Sequence, residues 1–264
     1  MNTWTPNGVI GMVHLAALPG TPGNTASPSE ITNRAVRDAK TLAGAGFDAI
    51  LIENMHDLPY LQRDVGSEIV ATMTSVVAAI RSAVAVPLGV QVLAGANQAA
   101  MSIAHATGCA FIRAEGFAYA SVADEGLFDK ADAGPLLRHR KAIGAETVAV
   151  WADVRKKHSA HALTADLSLK ELVAGFEFCG ADSIIVTGST TGDPVKMSDL
   201  SEAKSATSLP IIVGSGATAD NVAALFGTAD AVIVGSSIKM NGDWRCDVDP
   251  ERARVFLEAA RRDT

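Results

Sequence analysis

A group of polar residues directly follows a run that is built like a buried strand. In DAILIENMHD, residues 48–57, the apolar stretch 49–52 ends in Glu53 and Asn54, and His56 and Asp57 come soon after. A buried strand needs no carboxylate, but a strand that ends at a catalytic site does, because Glu53 could act there as a general base. The simpler alternative is that Glu53 only begins a solvated loop.

The segment with the most reactive side chains is ADVRKKHSAH, residues 152–161. Asp153 ends another apolar run there, with Lys157 and His158 shortly after it. A lysine whose pKa is lowered by desolvation can form a Schiff base with a carbonyl substrate. Asp153 or Glu53 as a base could also work with His158 as an acid. The predicted catalytic residues are Glu53, Asp153, Lys157 and His158.

Two alternatives to catalysis apply to the same segment. Its basic residues could be a solvated loop that only steers anions toward the protein. Carboxylates and imidazoles could also hold a divalent metal ion, with ligands drawn from His14, Glu53, Asp153, His158 and His161. We assign no metal ligand and predict no cofactor, with a divalent metal as the open alternative.

Glycine and hydroxyl residues recur together in three loops of the second half. VGSGAT (213–218) and VGSSIK (234–239) follow apolar runs, and TGSTTGD (187–193) is a third such loop. Backbone N–H groups at glycines can approach an anion closely, and serine adds a hydroxyl donor. The predicted phosphate ligands are Gly188, Gly214, Ser215, Gly216, Gly235 and Ser236. Alternatively, the glycines only permit tight turns, although turns alone would not require serine in both of the last two loops.

Short apolar runs recur along the whole chain at regular intervals. Each is too short for a helix and too apolar for a half-exposed strand, which is typical of a buried parallel sheet. Eight strands are predicted, near residues 9, 49, 88, 110, 148, 183, 211 and 231. Four of them follow a helix end and a glycine that could cap the helix in the left-handed conformation, namely Gly46, Gly108, Gly180 and Gly227.

Helical patterns fill the gaps between these runs. SPSE, residues 27–30, is a capping box that opens a helix to about residue 42. A terminal helix is predicted over about residues 250–262, after Asp249. Eightfold alternation of strand and helix predicts an α/β fold, a single-domain (β/α)8 TIM barrel over residues 1–264. An open doubly wound sheet is the rival, but no GxGxxG follows the first strand.

Alternate residues of a strand point to the same face, so the polar strand endings can be compared. A polar residue closes a mostly apolar or small series in six strands, at His14, Glu53, Gln91, Arg113, Asp153 and Thr187. If that face looks into the barrel, these side chains meet at the C-terminal mouth, where barrel enzymes carry their sites. The predicted substrate-binding residues are His14, Asn54, Gln91, Arg113, Thr187 and Asp193. Two long loops, 16–26 and 115–134, could close over a ligand.

The composition limits the classes of partner. The net charge of −7 and the pI near 5.3 disfavour a nucleic-acid partner, which would need clustered Lys and Arg. No run approaches the roughly 20 apolar residues that span a bilayer, and the first residues lack the pattern of a secretory signal. Three cysteines without a pairing pattern fit a reducing compartment. We expect a cytoplasmic protein without a membrane span, and a homo-oligomer is in keeping with barrels of this kind.

Several motifs together resemble one known family. IGMVHLAALPGTP, DAILIEN with its NMHDLPY continuation, ADVRKKH, and the terminal VGSGAT and DAVIVGSSIK are similar to the BtpA/SgcQ family over about residues 8–240. The first two motifs are fairly specific to that family, whereas the last is shared with ribulose-phosphate-binding barrels. The resemblance implies a (β/α)8 barrel of this length. It links one branch to accumulation of photosystem I in cyanobacteria and another to bacterial sugar utilisation, and it implies no particular reaction.

The sequence leads to one main hypothesis and two alternatives. The main hypothesis is an isomerase or lyase that acts by acid/base chemistry on a small phosphorylated sugar or sugar-derived metabolite at the barrel mouth. A hydrolase or phosphorylase that cleaves a glycosidic bond would also use two carboxylates. The third hypothesis is a non-catalytic accessory or assembly factor, as the photosystem I branch of the family suggests.

Overall fold

Eight parallel strands close into a barrel in the computed structural model, which describes residues 4–188 and 194–261. The strands are β1 (Gly8–His14), β2 (Ala49–Glu53), β3 (Leu88–Gln91), β4 (Phe111–Ala114), β5 (Ala149–Asp153), β6 (Ser183–Val186), β7 (Ile211–Val213) and β8 (Ala231–Val234). Each pairs with its neighbours in sequence, and β8 closes the barrel on β1. The predicted (β/α)8 fold and its eight strands are confirmed.

A helix follows each strand. The helices are α1 (Pro28–Ala45), α2 (Ser67–Ala83), α3 (Asn97–Thr107), α4 (Ala133–Ala142), α5 (Leu169–Phe178), α6 (Met197–Ala206), α7 (Val222–Phe226) and α8 (Pro250–Ala260). The predicted capping box is present at α1, where Ser27 Oγ accepts the N–H of Glu30 and the Glu30 carboxylate accepts the N–H of Ser27. Within the described residues, no helix has the length and apolarity needed to cross a bilayer.

Three of the four predicted glycine caps are left-handed, and one is not. Gly46, Gly108 and Gly180 have positive φ, whereas Gly227 has a φ of −61°. The prediction was wrong at Gly227 because the chain continues in a right-handed turn beyond α7. The N–H of Ala229 still bonds to the carbonyl of Leu225 at 2.9 Å.

The interior of the barrel is the face that the alternation of residues predicted. Its buried apolar side chains are Ile10, Met12, Ala49, Leu51, Phe111, Ala149, Trp151, Ile185, Ile212, Ala231 and Ile233. Phe111 and Trp151 stack with ring centroids 3.6 Å apart, and Trp4, which precedes β1, stacks on both at 5.5 Å. These rings fill the N-terminal part of the interior, which leaves the C-terminal mouth for a site.

A small antiparallel sheet beside the barrel was not predicted. Ser121–Ala123 and Gly126–Phe128 form a hairpin in the connection after β4, and Ser159–Ala160, after β5, pairs with it. The stretch 115–134, expected to be one long loop, therefore contains this hairpin and the start of α4. Strands of two or three residues carry no periodic signal, which is why the sequence did not reveal them.

A buried ion pair ties the segment after β8 to α1. Lys239 is fully buried, and its Nζ lies 3.3 Å from Oδ2 of Asp38. The other carboxylate oxygen of Asp38 accepts the backbone N–H of Val248 at 3.0 Å. Because this pair fixes the segment between Lys239 and Val248 against the barrel, it also fixes Trp244, which lines the mouth.

A glycine in β3 makes room for the aromatic stack, and substitution there tests the packing. A Cβ at Gly89 would overlap the ring of Phe111, whereas a Cβ at the exposed helical Gly44 meets no atom within 4 Å. We expect Gly89→Ala to lower the free energy of unfolding by about 1–3 kcal/mol through overpacking. Gly44→Ala should raise it by up to about 1 kcal/mol. Urea denaturation measures both, and equal stability of the two variants would contradict this packing.

Candidate active site

Three neighbouring strands deliver polar side chains to the mouth side by side. The strand register pairs His14 with Glu53 and Glu53 with Gln91. All three side chains are buried. His14 Nε2 lies 3.7 Å from Glu53 Oε2. An imidazole, a carboxylate and an amide therefore lie next to one another on neighbouring strands.

The backbone fixes the tautomer of His14. Its Nδ1 lies 3.0 Å from the carbonyl oxygen of Trp244, which can only accept a hydrogen bond, so Nδ1 carries the proton. Burial, reinforced by the charge of Lys239, holds the pKa of His14 well below its ordinary value. The ring is then neutral at neutral pH, and its Nε2 presents a lone pair toward Glu53.

Glu53 and Lys157 have pKa values shifted in opposite directions. Burial raises the pKa of Glu53, and the nearby charges of Arg113 and Lys157 oppose that shift. Burial also lowers the pKa of Lys157, and the charge of Arg113 adds to this effect. Low solvation favours the uncharged form of both groups. Such opposed shifts suit a pair that exchanges protons with a substrate.

Asp153 and Arg113 form a buried two-pronged ion pair. Arg113 Nε and Nη2 donate to the two carboxylate oxygens of Asp153 at 2.8 and 2.9 Å, and Nη1 donates to the carbonyl of Gly214 at 3.3 Å. Arg113 is 4% exposed and Asp153 3%. Because both carboxylate oxygens are occupied, this geometry favours a positioning role for Asp153 over the role of a free base.

The glycine–serine loops line a cavity of about 310 Å³. The loops contribute residues 214–218 after β7 and 235–237 after β8, and Glu53, Arg113 and Lys157 line the same cavity. Arg252 of α8 also reaches its wall. Gly188 borders the loop after β7, where its N–H donates to Ser215 Oγ at 3.3 Å. The structure thus brings five of the six predicted phosphate ligands to one cavity wall, and the sixth, Gly188, contacts that wall through Ser215.

At two of these glycines an added side chain would crowd a neighbouring residue. A Cβ at Gly214 would overlap the side chain of Ile185, and a Cβ at Gly235 would come within 3.3 Å of the imidazole of His14. Neither glycine has a positive φ. Close approach therefore explains Gly214, and the contact with His14 restricts substitution at Gly235.

A second cavity of about 360 Å³ adjoins the first. Both cavities are lined by Met55, Glu53, Arg113 and Lys157. The walls of the second cavity also include the predicted residues Gln91 and His158, and several that were not predicted, namely Tyr60, Leu93, Glu115, Glu125, Lys156 and Trp244. The mouth is therefore a two-part site with Glu53 and Lys157 at the junction.

Glu115 is the most informative residue that the sequence analysis missed. It is 7% exposed, and burial raises its pKa to about 7. Lys156 Nζ lies 3.9 Å from its Oε2 and 3.1 Å from a carboxylate oxygen of Glu125. The alternation that selected Phe111 and Arg113 continues to Glu115 one step beyond the strand, and following it would have found this residue.

Other predicted residues lie around the site. Asn54 is buried and braces two loops, since its Oδ1 accepts the N–H of Leu93 and its Nδ2 donates to Asp57. Thr187 Oγ1 donates to the carbonyl of Arg155 at 3.0 Å. His158 is exposed at the rim, 3.9 Å from Asp124. Asp193, predicted to bind substrate, lies outside the described residues.

Among the described residues, the side chains considered as metal ligands do not lie together. In residues 4–188 and 194–261, no three His, Cys, Asp or Glu side chains lie together in a way that could hold a metal ion. His14 and Glu53 are neighbours, but His158 pairs with Asp124 at the rim and His161 bonds to the carbonyl of Lys156. The alternative metal set proposed from the sequence is dispersed in these residues.

The pKa of Glu115 predicts a pH dependence of stability. Its folded-state pKa of about 7 lies above its ordinary value of 4.5, so the folded state holds this proton more tightly, and stability falls as pH rises between these values. We expect Glu115→Gln to remove this loss, so that its stability relative to the unchanged protein rises by about 3 kcal/mol from pH 4 to pH 8. Urea denaturation across this range measures it.

The exposed Asp129 on the same connection supplies the control. Asp129→Asn should follow the unchanged protein at every pH. A Glu115→Gln curve that also runs parallel to that of the unchanged protein would show that the carboxyl is not held protonated.

Comparisons with known proteins agree with the resemblance seen in the sequence. A 41% identical relative is an uncharacterized mitochondrial protein of Caenorhabditis elegans, with 95% of this chain and 91% of that protein aligned. The Photosystem I biogenesis protein BtpA of Synechocystis sp. is 36% identical, with 97% and 88% aligned. In fold the chain is similar to N-(5'-phosphoribosyl)anthranilate isomerase from Pyrococcus furiosus, at 13% identity and a TM-score of 0.59 over 96% and 98% of the chains. The BtpA family model matches residues 5–262, and the chain belongs to the BtpA family.

Proposed function

We propose that this chain is an enzyme that acts by acid/base chemistry on a small phosphorylated sugar or sugar-derived metabolite. One observation carries the proposal. The two glycine–serine loops line the same cavity as Glu53 and Lys157, two buried groups with opposed pKa shifts. A phosphate held by the loops would place the rest of the ligand beside those two groups.

The loops have the chemistry of a phosphate site. Residues 214–218 and 235–237 combine glycines with Ser215, Ser236 and Ser237. Loops after strands seven and eight of a barrel frequently bind phosphate through backbone N–H groups. Lys157 and Arg252 line the same cavity and add positive charge. The structurally similar enzyme from Pyrococcus furiosus is named for a phosphoribosyl compound, and at 13% identity the likeness supports only the fold.

The groups at the junction suit proton transfer next to a carbonyl. As a base, Glu53 would take a proton from the carbon beside the carbonyl, while the Lys157 ammonium gives a proton to the carbonyl oxygen, which yields an enediol. Glu53 then returns its proton to the former carbonyl carbon, while the hydroxyl on the neighbouring carbon gives its proton to the now neutral Lys157, which completes the isomerisation and restores both groups. A raised carboxyl pKa brings the base closer to neutral pH. Once Glu53 carries the proton, the lone pair on His14 Nε2 would orient its carboxyl, and Asp153 would act through Arg113 as a positioning residue.

Two alternatives each have one supporting observation. Cleavage of a glycosidic bond would use two carboxylates, and Glu53 and Glu115 both line the second cavity. An accessory role is supported by the name of the Synechocystis relative, a photosystem I biogenesis protein. Exchange of substrate protons with solvent separates the proposed chemistry from both alternatives.

We also propose a compartment, a metabolic role and an oligomeric state for this chain. The three cysteines are free, which is in keeping with a reducing compartment such as the cytoplasm. A role in carbohydrate metabolism follows from the proposed substrate class. A homo-oligomer is proposed because barrels of this kind often associate. The C. elegans relative is named mitochondrial, so the compartment differs among members if this chain is cytoplasmic.

The proposed base can be tested by solvent exchange. The protein is incubated with a panel of sugar phosphates in D2O, and NMR follows deuterium uptake at the carbon beside the carbonyl. We expect Glu53→Gln to slow this uptake about 10²–10⁴-fold, since a positioned general base contributes that much. The exposed Asp64→Asn is the matched control and should exchange at the unchanged rate. Exchange that persists in Glu53→Gln, or that is absent from the unchanged protein with every compound, would contradict the proposal.

A negative charge introduced into the first cavity tests the phosphate site. Ser236→Asp places a carboxylate on the wall of the first cavity, while Ser201→Asp places one on an exposed position of α6. We expect inorganic phosphate and glycerol 3-phosphate to raise the Tm of the unchanged protein and of Ser201→Asp. The carboxylate should repel the anion, so Ser236→Asp should show no such rise. Equal rises in both variants would place the anion elsewhere.

A further inference from the structure

We infer that the second cavity is a subsite for a neutral ring that bears hydrogen-bond donors, joined to the phosphorylated part of the ligand. The inference rests on the proposed function, because the phosphate is assigned to the first cavity. It narrows the substrate class from any small phosphorylated metabolite to a phosphorylated sugar that carries a second ring.

Two buried acceptor atoms on the wall of this cavity lack partners. Within the described residues, neither Oε1 of Gln91 nor Oε2 of Glu115 has a hydrogen bond. Gln91 is 2% exposed and Glu115 7%, and both line the second cavity. A buried acceptor without a donor destabilises the folded protein. A ligand that supplies hydroxyl or N–H donors would satisfy both atoms.

Hydrogen bonds from the side chain of Asn97 hold the backbone of Glu115 in place. Asn97 Oδ1 accepts the N–H of Glu115 at 3.2 Å, and Asn97 Nδ2 donates to its carbonyl at 2.8 Å. Lys156 does not satisfy the carboxylate, because its Nζ hydrogen bonds go to both oxygens of Glu125 at 3.1 Å and leave Glu115 Oε2 at 3.9 Å. The site is therefore already formed in the protein without a ligand.

The other walls of the second cavity are apolar or aromatic, which favours a ligand with a ring. Met55, Tyr60, Leu93 and Trp244 line the cavity. The hydroxyl of Tyr60 is used by a hydrogen bond to the carbonyl of Met55 at 2.7 Å, which leaves the aromatic ring as its free surface. Apolar and aromatic walls with a few polar groups are typical of sites that bind flat ligands or sugar rings.

The charges around the cavity favour a neutral group. On its walls Arg113 is compensated by Asp153 and Lys156 by Glu125. For the other buried groups in the lining, Glu53, Glu115 and Lys157, burial favours the uncharged form in each case. Two other polar residues of the lining, Asp124 and His158, lie at the rim, with Oδ2 of Asp124 3.9 Å from Nδ1 of His158. A second phosphate or a free cation would upset this balance, whereas hydroxyl or amino groups on a ring would not.

The arrangement of the two cavities defines the shape of the ligand. Both cavities reach Glu53 and Lys157. A phosphate in the first cavity and a ring in the second would therefore place the atoms between them at the reacting groups. Hydroxyl-bearing and N–H-bearing rings share the chemistry required, and the choice of probes distinguishes them.

Calorimetric titration with four probes tests the inference. Inorganic phosphate and glycerol 3-phosphate fill only the first cavity. Trehalose 6-phosphate adds a hydroxyl-bearing ring, and a nucleoside 5′-monophosphate adds a ring with N–H donors. We expect one ring-bearing probe to bind at least about tenfold more tightly than glycerol 3-phosphate. Gln91→Met and Glu115→Gln should each remove about tenfold of that advantage. Asp129→Asn is the control and should retain it.

The outcomes separate the inference from the proposed function. Equal affinity for glycerol 3-phosphate and both ring-bearing probes would overturn the subsite and leave the phosphate site intact. If no phosphate compound binds, the proposed function fails, and trehalose and the nucleoside are titrated alone. Binding of either one that Gln91→Met weakens would support the subsite by itself, and no binding would overturn it.

Discussion

The site depends on one buried cation, the guanidinium of Arg113. A guanidinium removed from water requires compensating partners, and Arg113 has them in Asp153 on β5 and in the carbonyl of Gly214 at the end of β7. Its hydrogen bonds connect three strands at the mouth. Arg113 also lines both cavities, so these bonds hold a shared part of their walls in place. Removing Asp153 alone would leave an uncompensated charge, which typically costs about 3–5 kcal/mol.

The same cation shapes the chemistry beside it. Glu53 and Lys157 are both poorly solvated, which raises the pKa of one and lowers that of the other. Arg113 opposes the shift at Glu53 and adds to the shift at Lys157. Burial thus moves the pKa values of both groups toward neutral pH, and the charge of Arg113 opposes protonation of the Glu53 carboxyl. A single buried charge therefore links the stability of the mouth to its reactivity.

Much of the architecture was predictable because it follows from simple periodicities. Alternation along the strands identified the inward face, and with it His14, Glu53, Gln91, Arg113 and Asp153. Alternation gives the face of a side chain but not its partner, so the sequence could not show that Asp153 is held by Arg113. Asn54 was predicted to bind substrate, yet its side chain is engaged with Leu93 and Asp57, contacts that arise only when two loops meet.

What the sequence did not show lies mainly in the loops. Glu115, Glu125 and Lys156 come together because the connections after β4 and β5 form a small sheet, and three-residue strands leave no pattern to read. The sequence analysis singled out Lys157 as catalytic and assigned Lys156 no role. In the structure Lys156 pairs with Glu125, while Lys157 lines both cavities. The division of the mouth into two cavities is a property of packing and has no signature in the chain.

The central claim is that the loops after β7 and β8 hold a phosphate next to Glu53 and Lys157. A crystal structure of the protein with glycerol 3-phosphate tests it most directly. The account predicts tetrahedral density enclosed by residues 214–218 and 235–237, with the glycerol carbons directed toward Glu53. Density for the anion at another surface, with this cavity empty at saturating ligand, would contradict it.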